Sequence, residues 1–323
     1  MKRTPAPAPA PALALAAAAL TGFCVSTATY AQDWTPPGPI KMMIAFAAGG
    51  GADTQARLIA EELEQRHGWK VIPEQVTGKG GLNAVNALKE QPGDGTAIAM
   101  IVSETLGYNM ASAKAGQPTD VTPITTTAGT QIAVVALASK GWKTLSDVIE
   151  AAKGGEDIRF GVMTGALGDL AYVISLRNDV DFNIISVRGG KAVMDGLNAG
   201  DMDVGFGAGI QAKAVAAGDM VELASARGET LVNSPDAPLL ADYGVEFVNE
   251  IAFLFAGPPD MDPAAREAIA AAIAEIVTDE GGKANEFITL GFGGPVVIQG
   301  EELEMAVQKD FDASGALIAA ASE

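Results

Sequence analysis

The chain has 323 residues, 48% of them hydrophobic and 6% aromatic, with a formal net charge of −19, one cysteine and one histidine. Such an acidic surface repels nucleic-acid phosphate and anionic membranes, so polyanion binding is excluded as a function class. A lone Cys24 and a lone His67 leave no basis for thiol catalysis or for a Cys/His metal site.

The first residues read as a secretory signal. Lys2 and Arg3 form a charged n-region, Leu13 to Leu20 an apolar h-region, and Thr29-Tyr30-Ala31 a small-residue cleavage site. The Pro-Ala alternation from Pro5 to Pro11 is unusual in a signal, because proline opposes a helical h-region. Residues 1–31 are thus expected to be removed on export to the periplasm. Cys24 follows Thr21-Gly22-Phe23, and Phe23 is bulky where a lipidation box needs a small residue, so a soluble product is expected rather than a lipoprotein. Cleavage takes away Lys2, Arg3 and Cys24, moving the net charge from −19 to −21. No later stretch reaches the roughly 18 to 20 continuous apolar residues of a membrane span. Even Ala264 to Val277 is interrupted by Arg266, Glu267 and Glu275. About 290 residues remain, enough for two packed lobes.

From Ile40 onward, short apolar runs alternate with helical segments, the signature of βαβ units and a largely parallel sheet. The pattern predicts a strand over Ile40–Phe46, a turn at Gly49-Gly50-Gly51, and a helix from Ala52 that puts Leu58, Ile59 and Leu63 on one face. His67 falls at the end of that helix, where imidazole meets free carbonyls, and reads as a helix-end residue rather than a base. A strand at Val71–Val76, the turn Gly78-Lys79-Gly80-Gly81, a helix through Lys89, a turn at Pro92-Gly93-Asp94-Gly95 and a strand at Ala97–Val102 follow. Ile132–Ala138 is read as a crossover strand ending the first lobe.

Thr144, with Asp147 three residues on, opens the next helix by a capping box. The pattern then predicts strands at Ile158–Val162, Asn183–Val187, Val204–Phe206 and Val221–Ala226. Between them lie helices over Gly165–Arg177, Lys191–Ala199 and Ile210–Ala217. After the Pro-rich Ser234–Pro238, Val245–Ala256 is the expected return crossover. Asp262 with Pro263 starts a helix to Thr278, and two more helices close the chain. The expected architecture is two α/β lobes, with discontinuous domains if the C-terminal segment packs back on the first lobe. Lobe 1 comprises 32–138 plus 251–323 and lobe 2 comprises 139–250, with the crossings as hinges.

Open α/β sheets bind ligands where strands hand over to helices. Phe46, Ala47, Ala48, Gly49 and Gly50 occupy that position after the first strand, and Thr54 lies in the first turn of the helix. Glycines let backbone N–H groups point outward at a helix N-terminus, so an anion can be held without a basic side chain. The segment lacks the Lys-Ser/Thr of a nucleotide P-loop and the spacing of a dinucleotide fingerprint. Thr164, Gly165 and Ala166 repeat the arrangement in lobe 2. Arg188 and Gly189 mark a third junction, where a guanidinium suits a carboxylate. Ser103 and Thr105 offer hydroxyls at the end of the third strand. Asp53 is expected to satisfy free N–H groups of the first turn instead of meeting the ligand.

Taken together, these segments resemble the tripartite tricarboxylate transporter receptor family, the Bug-type periplasmic binding proteins. Ala45-Phe46-Ala47-Ala48-Gly49-Gly50, then Asp53 and Ala56-Arg57, is similar to the family's Pro-Phe-Ala-Pro-Gly-Gly loop, with two prolines replaced by alanine. Gly78-Lys79-Gly80-Gly81-Leu82-Asn83, Pro92-Gly93-Asp94-Gly95-Thr96, Lys143-Thr144-Leu145-Ser146-Asp147 and Val187-Arg188-Gly189-Gly190 match further family segments in order. Val187 stands where Tyr is usual, and Asp169 where His is common. The resemblance implies a two-lobed periplasmic-binding-protein flytrap, a monomeric solute-binding protein that catches a small organic anion, a carboxylate or dicarboxylate, between its lobes. It implies delivery to membrane permease subunits, with no cofactor, metal or catalysis.

Two other readings stay open on the residues. One is an exported hydrolase or isomerase using Asp53, Glu104 and Asp169 as acid and base, although Gly161-Val162-Met163-Thr164-Gly165 lacks the serine of a nucleophile elbow. The other is a ligand-loaded partner of a sensor kinase.

Overall fold

The computed structural model describes Met1, residues 34–248 and residues 250–322. The expected signal segment, its cleavage site and Cys24 lie outside the described residues. The first βα junction follows a buried strand that ends in a glycine turn. β1 (Ile40–Ile44) is nearly all buried, and the Ala47–Gly50 turn then releases the chain into α1 (Gly51–His67). Gly68, in the left-handed region, stops α1. β2 (Val71–Gln75), α2 (Leu82–Lys89) and β3 (Ala97–Val102) complete two parallel units. A π-helical turn at Thr105–Asn109 runs into the short α3 (Met110–Ala113). β4 (Thr122–Gly129) follows and stays with β1–β3.

The chain then crosses to a second sheet through residues 130–132. There it forms β5 (Ala133–Leu137), α4 (Leu145–Lys153), β6 (Arg159–Val162), α5 (Gly165–Asn178) and β7 (Asn183–Ser186). α6 (Gly190–Ala199), β8 (Val204–Gly207), α7 (Ala212–Ala216) and β9 (Met220–Ser225) complete that lobe. The return through residues 226–251 leads to β10 (Ala252–Gly257), α8 (Pro263–Thr278), α9 (Lys283–Phe292) and α10 (Gly300–Ala320). Among the described residues, no helix is long and apolar enough to cross a membrane.

The two sheets share one plan. The first runs β2-β1-β3-β10-β4 and the second β7-β6-β8-β5-β9. In each, three parallel strands are followed by the strand that has just arrived from the other lobe, inserted antiparallel in fourth place. This corrects the sequence-based boundary. The strand expected to end lobe 1 at residue 138 pairs with β8 and β9, so the change of sheet falls at residues 130–132.

One strand went unanticipated. β4 reads Thr-Pro-Ile-Thr-Thr-Thr-Ala-Gly, too polar to look buried, yet Thr125, Thr126 and Thr127 are nearly inaccessible. Two of these hydroxyls donate at long range: Thr126 to the Val296 carbonyl at 2.6 Å and Thr127 to Gln55 at 2.8 Å. Hydroxyl pairing removes the cost of burying these groups. The expected caps are present. The Asp147 carboxylate accepts from the N–H groups of Lys143 (2.7 Å) and Thr144 (2.9 Å), and Asp262 caps α8 through Ala264 N–H at 3.2 Å.

Candidate interlobe binding site

Between the two sheets lies a cleft with two connected chambers that share Phe46, Ala47, Met163, Thr164, Arg188 and Gly189. A larger one, about 380 Å³, faces the glycine turn at 78–81. A smaller one, about 70 Å³, lies toward the crossings and is walled by Val102, Ile132, Leu167, Ile210, Phe253 and Phe292.

The β1–α1 turn is held from behind. Asp53, 4% exposed, accepts the Gly49 N–H at 2.8 Å and the Arg57 Nε at 2.9 Å, and is also bonded to Gln75. Its carboxylate therefore fixes the turn rather than facing a ligand. Gly49 sits at φ +76°, a backbone region that a side chain disfavours. At Gly51 the reason for glycine is space: an added Cβ would lie 2.9 Å from Phe292 Cζ. Close packing of this helix start against α9 forms one wall of the smaller chamber.

On the lobe 2 side, Thr164 caps α5 by accepting the Leu167 N–H at 3.2 Å. The starts of both helices line the cleft, Gly51 and Ala52 of α1 in the smaller chamber and Gly165 of α5 in the larger, and the first N–H groups of a helix have no partner within it. Arg188 is exposed and lines both chambers, and its guanidinium has no hydrogen-bond or ion-pair partner among the described residues. Lys79 lines the larger chamber in the same unpaired state. Lys191 projects from α6 over Gly49, with its ammonium bonded to Asp195 at 2.6 Å.

Of the residues expected at the site, Phe46, Ala47, Gly50, Thr164, Gly165, Arg188 and Gly189 line one chamber or both. Ala48 and Gly49 form the exposed tip of the turn, while Thr54 and Ala166 lie inside the helix starts without lining either chamber. Two expectations are corrected. Ser103 accepts the Ala252 N–H at 3.2 Å, tying β3 to β10, and Thr105 donates to the Gly80 carbonyl at 2.9 Å. Together with Asn109, bonded to the same carbonyl at 3.1 Å, Thr105 shapes the glycine turn. Sequence reasoning missed Lys79 as a lining cation and all the apolar walls contributed by Ile132, Ile210, Phe253 and Phe292. Only the Gly-x-Gly-Gly turn around Lys79 carried a signal that could have found it.

A cleft between two α/β lobes of matching topology, with helix starts converging from both sides, defines the class: a two-lobed periplasmic-binding-protein fold. Solved structures agree. The adipate complex of R. palustris Rpa4515 superposes with a TM-score of 0.79 at 18% identity, covering 90% of this chain and 99% of that one. MatC from Rhodopseudomonas palustris with bound malate gives 0.75 at 19% identity, covering 88% and 100%. Protein BugT of Bordetella pertussis is 26% identical over 263 residues, 76% of this chain and 79% of that protein. The profile of the tripartite tricarboxylate transporter family receptor matches residues 55–322, and the chain belongs to that family of solute-binding receptors.

Proposed function

We propose that the protein captures a small organic acid in the interlobe cleft outside the cytoplasmic membrane and presents it to the permease subunits of a tripartite tricarboxylate-type transporter. One observation carries the reading: in a chain of net charge −19, the Arg188 guanidinium stands in the cleft with no carboxylate partner among the described residues. An unpaired fork of N–H donors at the mouth of a cleft is matched to an incoming carboxylate. The overall negative charge does not oppose this. Salt screens distant charges beyond roughly 8 to 10 Å, whereas cleft donors act at contact. The adipate and malate held by the two R. palustris proteins are acids of the same class.

The test is thermal unfolding of the protein, refolded to strip carried-over ligand, against mono-, di- and tricarboxylates and neutral controls. A saturable rise in melting temperature with acids is expected, because a ligand that binds only the folded state stabilises it by mass action. A rise with neutral compounds alone refutes the reading.

A further inference from the structure

We infer that the ligand is a monocarboxylate with a short aliphatic end, its carboxylate beside Arg188 and its alkyl group in the smaller, crossing-side chamber. The inference rests on the acid-binding reading above and names its substrate class. The walls of that chamber are almost wholly hydrocarbon: Val102, Ile132, Leu167, Ile210, Phe253 and Phe292. Apart from Arg188, its polar side chains are already engaged. Thr130 donates to the Ile251 carbonyl at 3.0 Å, Thr164 caps α5, and the Lys191 ammonium is held by Asp195.

A second carboxylate pushed into this space would lose part of its hydration and, with Arg188 taken by the first, find only the Lys191 ammonium, already paired with Asp195. An alkyl group placed there gains by leaving water. Arg188 touches both chambers, so a molecule with its carboxylate on the guanidinium can reach the hydrocarbon walls without leaving the cation. Size sets the length of the tail. An apolar cavity of roughly 150 Å³ holds benzene. The 70 Å³ here is about half of that, room for roughly three carbon atoms.

The experiment is calorimetric titration of the stripped protein with acetate, propionate, butyrate and isovalerate, with malonate, succinate and glutarate, and with isovaleramide. Affinity should rise about fourfold per added carbon, the value of burying one methylene, and level off when the chamber is full. Each dicarboxylate should bind at least tenfold more weakly than the monoacid of equal length. Succinate or glutarate binding as tightly as butyrate overturns the inference while leaving the acid-binding reading in place. Isovaleramide binding as tightly as isovalerate overturns both. Ala208 lines the same chamber. In Ala208→Leu, isovalerate should fall to the affinity of acetate, and an unchanged isovalerate affinity in the folded variant places the tail elsewhere. If that variant does not fold, the chain-length series on the wild-type protein decides alone.

Discussion

The Tyr108 hydroxyl donates a hydrogen bond to the Asp169 carboxylate across the cleft, from the π-helical turn after β3 to α5 of the other lobe. Tyr108 is 9% exposed, and its ring packs on the first residue of α5, where a Cβ on Gly165 would lie 3.1 Å from Tyr108 Cε1. Burial, and then the bond to Asp169, hold the phenol protonated well above the usual tyrosine range. The hydroxyl therefore stays a donor at neutral pH, and the bond fastens one lobe to the other beside the ligand cleft.

Tyr108→Phe keeps the ring and removes only this bond. Hydrogen bonds to charged groups contribute about 1.5 to 3 kcal/mol, and Asp169 is partly exposed, so the lower end applies. The closed arrangement should lose about tenfold in population relative to the open one, and ligand affinity should fall by the same factor. Small-angle scattering should show a larger ligand-free radius of gyration. Equal affinity and equal dimensions in the variant mean that the bond does not govern closure.

Gly49→Val tests the β1–α1 turn. The nearest atom to an added Cβ is Lys191 Cδ at 3.5 Å, so space is not the obstacle. The obstacle is φ +76°, which costs a β-branched residue on the order of 1 to 2 kcal/mol. The chain can relieve this only by moving the turn, which breaks the Gly49 N–H bond to Asp53. Ligand binding should be lost while the circular dichroism spectrum stays native. Unchanged affinity removes the turn from the site.

How much of this was visible in the sequence depended on how local the cause was. Strand β3 was placed at Ala97–Val102 because a fully buried run between Gly95 and a polar turn admits no other reading. The caps at Thr144 and Asp262 were legible because partner and cap sit within three residues of each other. β4 was missed because its threonines are satisfied by residues such as Val296, far along the chain. The helical turns at Thr105–Ala113 were missed because Gly107 interrupts the pattern. β5 was recognised as a strand and given to the wrong lobe, since sheet membership is decided by β8 and β9. The site divides in the same way. Glycine turns and Arg188 announce themselves by chemistry, whereas Ile132, Phe253 and Phe292 look like ordinary core until the fold gathers them around one cavity.

Asp203 contributes pH-dependent stability on the acid side. Burial works to raise its pKa, but Arg159 and Lys140 outweigh that and hold it well below the usual carboxylate range. The carboxylate accepts from Arg159 N–H (3.0 Å), Nε (2.9 Å) and Nη2 (3.0 Å), and from Lys140 Nζ at 2.5 Å. The folded pKa lies below the unfolded value of about 3.9, so this stabilisation is complete above that value and is lost as pH falls through the folded pKa. Asp203→Asn should lower stability by about 2 to 3 kcal/mol at neutral pH and flatten the loss below pH ~4. Urea unfolding at several pH values measures both. A variant as stable as wild type at neutral pH contradicts the assignment.

Arg188→Ala separates binding from folding more cleanly than any other substitution, because the guanidinium is exposed and unpaired among the described residues. Removing it breaks no ion pair, so the melting temperature without ligand should stay within a degree or two of wild type. With an acid bound, the same change deletes a charged hydrogen bond worth about 1.5 to 3 kcal/mol, a loss of roughly 10- to 150-fold in affinity. Arg188→Lys keeps the charge but not the planar fork, and should recover only part of the loss. Raising salt should weaken acid binding in the wild type more than in Arg188→Ala, since the variant has one fewer cation to screen. If alanine leaves affinity intact, the carboxylate is held by helix N-termini and Lys79, and Arg188 is a surface residue beside the cleft.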